Sequence, residues 1–206
     1  MIDTQDIPAG TKIKSRNGQK ERRPPKKITE TYLYNSALVY LQRFPASTHR
    51  FRQVMNRKID RSCRHHTDLS REACRDMLDA LVQKLTQMGL LNDPGYLKGM
   101  VSSLRRRGLS SSLITLRLSA QGLVPDDIKT ALSDHAQSLD DTINAELRAA
   151  IRYCARKRLG AFRTREPKNP DKELASLARQ GYGFDMARVA LDMDLDEAES
   201  ILKEFG

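Results

Sequence analysis

Residues 93–132 read DPGYLKGMVSSLRRRGLSSSLITLRLSAQGLVPDDIKTAL, and their pattern decides the fold class. Tyr96, Leu97, Met100, Val101 and Leu104 recur at three- and four-residue spacing, so they line one face of a helix. Asp93 is placed to cap that helix and Pro94 to occupy its first position. Arg105, Arg106 and Arg107 close it, where cations meet the negative end of the helix dipole, and Gly108 supplies the left-handed residue that stops it. Ser110, Ser111 and Ser112 offer caps for a second helix, with Leu113, Leu116 and Ala120 on its apolar face and Ile114 and Leu118 on the flank. Gly122 ends it. A third helix starts at Pro125, sets Asp126 and Asp127 against its positive end, and buries Ile128, Ala131 and Leu132.

The pattern returns downstream. Gln121-Gly122 precedes Ala131-Leu132 by the same distance that Gln180-Gly181 precedes Ala190-Leu191, and Leu118 and Leu177 each stand four residues before their glycine. The basic helix end Arg105-Arg106-Arg107-Gly108-Leu109 matches Arg156-Lys157-Arg158-Leu159-Gly160. Self-similarity at corresponding points of a helix pattern indicates an internal repeat. The expected fold is therefore all-α, an elongated array of tandem three-helix, helix-turn-helix-like repeats. Its units are residues 28–91, 92–140 and 141–206, preceded by a basic arm over residues 1–27.

That arm carries eight basic side chains against three acidic ones and few large apolar residues, too little to offset the entropy of ordering, so it is expected to be disordered. Helix one is expected from Thr29 or Glu30 to Arg43, with Leu33, Ala37, Tyr40, Leu41 and Phe44 on one stripe and Pro45 as its stop. Ser47 caps a second helix with Phe51, Met55 and Ile59 inside and Arg50, Arg52, Arg57, Lys58 and Arg61 on other faces. A third, from about Ser70, carries Cys74, Met77, Leu78, Leu81, Leu85 and Met88 and ends at Gly89. Past the central unit, Ser133 to Asp141 reads as a connection into a long helix with Ile143, Leu147, Ala150, Ile151 and Cys154 inside and Arg148 and Arg152 on other faces. A basic loop follows from Ala161 to Asp171, and shorter helices hold Leu177, Ala187, Ala190 and Ile201.

Cys63-Arg64-His65-His66 with Cys74 has the thiolate and imidazole chemistry of a zinc site, but the spacing fits no standard finger and Cys74 falls on an apolar stripe. A solvated loop beside a core cysteine is the reading, with no metal and no cofactor. Three scattered cysteines fit reduced thiols. No run of eighteen apolar residues occurs and the N-terminus has no signal-type apolar segment, so a cytoplasmic protein with no membrane partner is expected. No glycine-rich phosphate loop, histidine-paired nucleophile or carboxylate pair stands out, which points away from an enzyme.

Lys and Arg number 36 against 26 Asp and Glu, a formal charge of +10, and the isoelectric point is near 9.7. From Lys98 to Arg117 there are five basic residues and no acid; from Arg148 to Lys168 there are eight and the single acid Glu166. From Asp185 onward acids dominate. Two basic runs at matching points imply a track along one side of the array, suited to an acidic protein surface or nucleic acid.

The chain resembles the RecX regulatory proteins. The resemblance rests on Leu90-Leu91-Asn92-Asp93 before Tyr96, on Arg105-Arg106-Arg107-Gly108 followed by Ile114 and Gly122, and on Arg156-Lys157-Arg158 followed by Leu177-Ala178-Arg179-Gln180-Gly181-Tyr182. Ala37 to Leu41 and Arg43-Phe44-Pro45-Ala46-Ser47 extend it into the first unit. It implies a monomer that docks in the groove of the RecA filament on single-stranded DNA and restrains its ATP hydrolysis, strand exchange and coprotease role in the SOS response. The expected RecA- and DNA-binding residues are Arg105, Arg106, Arg107, Arg117, Arg156, Lys157 and Arg158. The alternative is a stand-alone DNA-binding protein that inserts the Ser110–Gln121 helix into a major groove, with Arg117 and Gln121 as its base readers.

Overall fold

A computed structural model describes residues 24–137, 145–164 and 169–203. Among them the chain is all-helical: α1 (Glu30–Arg43), α2 (Thr48–His65), α3 (Arg71–Gln87), α4 (Asp93–Arg106), α5 (Ser111–Ser119), α6 (Pro125–Gln137), α7 (Ala145–Lys157), α8 (Pro170–Ala178), α9 (Phe184–Asp192) and α10 (Leu195–Lys203), with one 3-10 turn at Gly160–Phe162.

One capping device starts seven of these helices. Thr29, Ser47, Ser70, Asn92, Ser110, Asn169 and Asp194 each accept, through the side-chain oxygen, the amide three residues on. Asn92 rather than Asp93 caps α4, because the Asp93 carboxylate is engaged elsewhere: its Oδ1 accepts the Thr48 amide at 2.7 Å. One termination device ends five helices. After α4, the Gly108 amide reaches the Arg105 carbonyl at 2.9 Å and the Leu109 amide the Leu104 carbonyl at 3.2 Å; the same pair of bonds recurs at Gly89, Gly122, Arg158 and Gly181.

These ends set a structural register. Gly108 corresponds to Arg158, so Val101 and Leu104 correspond to the equally buried Ile151 and Cys154. Arg106-Arg107 then correspond to Arg156-Lys157, and Arg105 to Ala155. The expected alignment of the two basic ends is therefore one residue out. Downstream, Ser110 and Asn169 cap, Gly122 and Gly181 terminate, and Pro125 and Phe184 begin the matching helices α6 and α9.

The buried apolar residues fall into three clusters. One is built by α1–α3 around Leu33, Phe51, Met55, Leu78 and Leu85. The second is built by α4–α6 around Leu97, Val101, Ile114, Leu118 and Ile128. The third is built by α7–α10 around Ala150, Ile151, Leu177, Ala187 and Ile201. Matching hydrogen bonds join consecutive groups. The first amide of α2, Thr48, is held by Asp93 at the start of α4, and the first amide of α5, Ser111, by Glu146 at the start of α7 at 3.0 Å. The turn at Gly122 seats on His49, and that at Gly181 seats on Ser110, whose hydroxyl donates to the Gln180 carbonyl at 2.7 Å.

Several expectations shift. On α5 the buried pair is Ile114 and Leu118, while Leu116 is 67% exposed, because the one-turn pair joins Leu109 and Leu123 in the second cluster. Phe44 and Met88, past the ends of their stripes, are exposed. Cys63 and His65 lie in the last turn of α2 rather than in a loop, and α6 carries the helix through residues 133–137. Residues 24–27 lie against the end of α2: the Ser62 hydroxyl donates to the Lys26 carbonyl, His66 Nε2 to the Pro25 carbonyl, and Lys27 pairs with Asp68. The first 23 residues of the basic arm, Ile143, Arg165 and Lys168 fall outside the described residues.

Candidate functional site

Arg106 and Arg107 are exposed at the end of α4, and Arg156, Lys157 and Arg158 at the corresponding end of α7. Both sets follow directly from the termination device, since a cation in the last turn meets unpaired carbonyls and the negative end of the helix dipole. Arg156 lies with its guanidinium carbon 5.5 Å from the Tyr153 ring centroid, which fixes its direction. Arg158 takes the left-handed position itself, at φ 57°. Arg117 is exposed in the last turn of α5.

Arg105 departs from the expectation. It is 5% exposed, with Nη1 donating to Glu146 Oε2 at 2.8 Å and to the Leu109 carbonyl at 3.2 Å, and Nη2 donating to Ser111 Oγ. The Ser111 hydroxyl completes the set by donating to Glu146 Oε2 at 2.6 Å. Arg105 thus ties α4 to the starts of α5 and α7 and presents no contact surface. Charge-assisted bonds of this kind stand at roughly twice the strength of neutral ones.

Two further members of the basic runs turn inward. Arg148, expected on an outer face, is 1% exposed. Arg163 grips Glu173 with Nε to Oε1 at 2.7 Å and Nη2 to Oε2 at 2.6 Å, and the Gly160 amide donates to the same carboxylate at 3.0 Å. Glu146 and Glu173 are the partners that the sequence reading missed. Each sits in the first turn of its helix, where an acid is already explained by the helix dipole, so nothing local marks it as an ion-pair partner.

Inside the same junction His135 lies at the end of α6. Burial first, and then the positive charges of Arg105, Arg152, Arg148 and Arg106, push its imidazole below the ordinary 6.5, so it stays neutral at neutral pH. Burial, with Glu173 next, pushes the Cys154 thiol up to about 12. Burial, then Cys63 beside it, raises Cys74. Neither buried thiol supplies a thiolate near neutral pH. Arg106, Arg107, Arg117, Arg156, Lys157 and Arg158 are thus exposed cations at the ends of α4, α5 and α7, a chemistry suited to anions.

No family model matches the chain, and no solved structure matches it. Over 182 residues it is 38% identical to the regulatory protein RecX of Myxococcus xanthus (strain DK1622), covering 84% of this chain and 92% of that protein. It is 25% identical to the regulatory protein RecX of Agrobacterium fabrum over 91% of this chain and 97% of the relative. To that of Pseudomonas fluorescens it is 29% identical over 59% and 74%.

Proposed function

The chain belongs to the RecX family of regulatory proteins, and from that premise we propose that it binds the RecA filament on single-stranded DNA as a monomer in the cytoplasm, acting by contact and not by catalysis. Seated in the filament groove, it restrains ATP hydrolysis, strand exchange and coprotease activity, and so damps the SOS response. The three helix groups are read as repeat units over residues 28–91, 92–140 and 141–206, each presenting its own surface to successive sites along a helical polymer.

One observation carries this reading. Arg106-Arg107 and Arg156-Lys157 are exposed at structurally equivalent helix ends of two consecutive groups. Repeated cations on a repeated scaffold suit repeated acidic or phosphate partners, and such complementarity steers association as well as fixing register. Arg117 and Arg158 complete the contact set. Arg105 serves that set from behind, by holding α4, α5 and α7 in their relation.

The test is DNA-dependent ATP hydrolysis by the cognate RecA, titrated with this protein at fixed salt beside its binding to DNA alone. Inhibition well below RecA stoichiometry, at concentrations that leave the DNA mostly bare, is expected. Arg106→Glu combined with Arg107→Glu and Lys157→Glu is expected to abolish inhibition with the helical content unchanged. Inhibition only once the DNA is coated would instead favour a stand-alone DNA-binding protein.

A further inference from the structure

A cleft with a volume of about 610 Å³ opens between the first and second helix groups. Its walls come from four helices that the chain brings together only by tertiary packing. Tyr40 and Phe44 stand at the end of α1, Arg50 and Gln53 on α2, Tyr96 on α4, and Gln121 just past α5. No carboxylate lines it.

Its chemistry is that of a platform with a polar edge. The Tyr40 and Phe44 rings lie with centroids 5.6 Å apart, tilted by 41°. Tyr40 is half-buried against Phe51, with centroids 6.3 Å apart, and so is fixed by the first core, while Phe44 is 56% exposed at the mouth. An exposed phenylalanine next to a proline has no role in the core that the α1 stripe builds. Opposite the rings, the Tyr96 hydroxyl donates to Gln121 Oε1 at 3.4 Å, and Arg50 Nη1 donates to Gln53 Oε1 at 3.1 Å. Aromatic faces beside paired amide and guanidinium groups match a planar, hydrogen-bonding ring.

The surroundings select the kind of ring. On α2, Arg57 and Arg61 continue, one and two turns on, the face that carries Arg50 and Gln53, and both are exposed. On α5, Arg117 lies one turn before Gln121 on the same face, and Arg43 lies one turn after Tyr40; both are exposed. Arg50 thus lines the cleft, and Arg43, Arg57 and Arg117 each stand one helical turn from a residue of its walls. A ligand that is planar and attached to a polyanion satisfies the walls and the rim together.

We propose that this cleft binds an unstacked base of single-stranded DNA, stacked on Phe44 and Tyr40 with its edge toward Arg50, Gln53 and Gln121 and its flanking phosphates toward Arg43, Arg57 and Arg117. It rests on the reading above of single-stranded DNA as a partner, and adds a base-contacting site to a surface otherwise made of phosphate contacts. Stacking accepts any base face, so the site fixes the strand without reading sequence.

The experiment uses the full chain without RecA and compares two oligonucleotides of equal length, one of thymidines with a central 2-aminopurine and one of abasic sugar-phosphate. Wild type is expected to quench 2-aminopurine and to bind the base-bearing strand about tenfold more tightly than the abasic one. Phe44→Ala, at an exposed position, is expected to lose that difference and the quenching while keeping its abasic affinity and its melting temperature; Phe44→Tyr is expected to restore both. Equal affinity of wild type for the two strands overturns the proposal, as does quenching that survives Phe44→Ala. Phe44→Ala that leaves DNA binding intact but removes RecA inhibition also overturns it, and assigns the cleft to a protein side chain. Intact quenching in a wild type that fails to inhibit RecA would sink the filament reading alone.

Discussion

At the scale of single residues, the same side chain does opposite work one position apart. Arg105 is enclosed and paired with Glu146, whereas Arg106 is exposed. Removing one partner of a buried pair leaves the other uncompensated, at a cost of about 3 kcal/mol or more. Arg105→Ala is therefore expected to lower stability by about that amount in urea denaturation, and Arg106→Ala by under ~0.5 kcal/mol, as surface changes usually do. Equal effects would show that Arg105 does not bear the junction. The neighbouring His135 gives a pH test. Its folded value lies below the ordinary 6.5, so as pH falls through 6.5 the unfolded chain takes up a proton that the folded chain resists. Stability from the neutral ring is present above 6.5 and declines as pH drops toward the folded value. His135→Gln removes that part of the decline, so its melting temperatures at about pH 7.5 and about pH 5.5 should lie closer together than those of wild type. An unchanged gap would assign the acid sensitivity to other groups.

At the scale of elements, the turns that end the helices also join the groups, and substitutions there separate the two roles. Gly181 has φ +83°, and a β-carbon on it would come within 2.5 Å of Ser110 Oγ, a short side chain committed to the Gln180 carbonyl. Gly181→Ala is expected to cost about 2–3 kcal/mol, combining the left-handed penalty with the lost bond. Gly122→Ala, at φ +80°, meets the exposed His49 ring, which can swing away, so its cost should stay nearer 1–2 kcal/mol. Arg158 is the converse case, a residue with a β-carbon held at φ 57° where α4 has a glycine. Arg158→Gly should raise stability by about 1 kcal/mol while removing one proposed contact. A shift of the urea midpoint in the opposite direction would mean that the arginine side chain contributes more than its backbone strain costs. Most of this architecture was legible. Leu33, Phe51, Ile128 and Leu177 sit where helical periodicity puts them, and the glycine stops and serine caps were readable because both act within a few residues. What stayed hidden depends on partners far along the chain. Arg105 reads as solvated until Glu146, 41 residues on, is packed against it. The burial of Ile114 in place of Leu116 is decided by where α6 lies. Asp93 looks like a cap until Thr48 claims its carboxylate. Phe44 matches the spacing of an apolar stripe yet lies past the point where α3 covers α1.

At the scale of the whole molecule, the inward turn of Arg105, Arg148 and Arg163 thins the basic runs to an outer set whose reach can be measured. Net charge alone would bind any polyanion weakly, whereas six cations at fixed helix ends, engaged as proposed, would release counterions in a fixed number. If Arg106, Arg107, Arg117, Arg156, Lys157 and Arg158 all meet phosphates of one strand, they should contribute about −4 to the slope of the logarithm of affinity against the logarithm of salt concentration. Replacing Arg106, Arg107 and Arg117 by Gln halves the set and should make the slope shallower by about 2, at unchanged melting temperature. A slope that does not change would confine the DNA path to the cleft and the arginines of α2, where Arg50, Arg57 and Arg61 form a second exposed face. The far end of the chain supplies the counterpart. Asp185, Asp192, Asp194, Asp196 and Glu197 are exposed on α9, α10 and the turn between them, so a strand that ran on from the basic set to these acids would be repelled there. Neutralising Asp194, Asp196 and Glu197 to their amides should therefore raise affinity for a long single strand and leave affinity for a short one unchanged, because only the long strand extends past the cations to meet them.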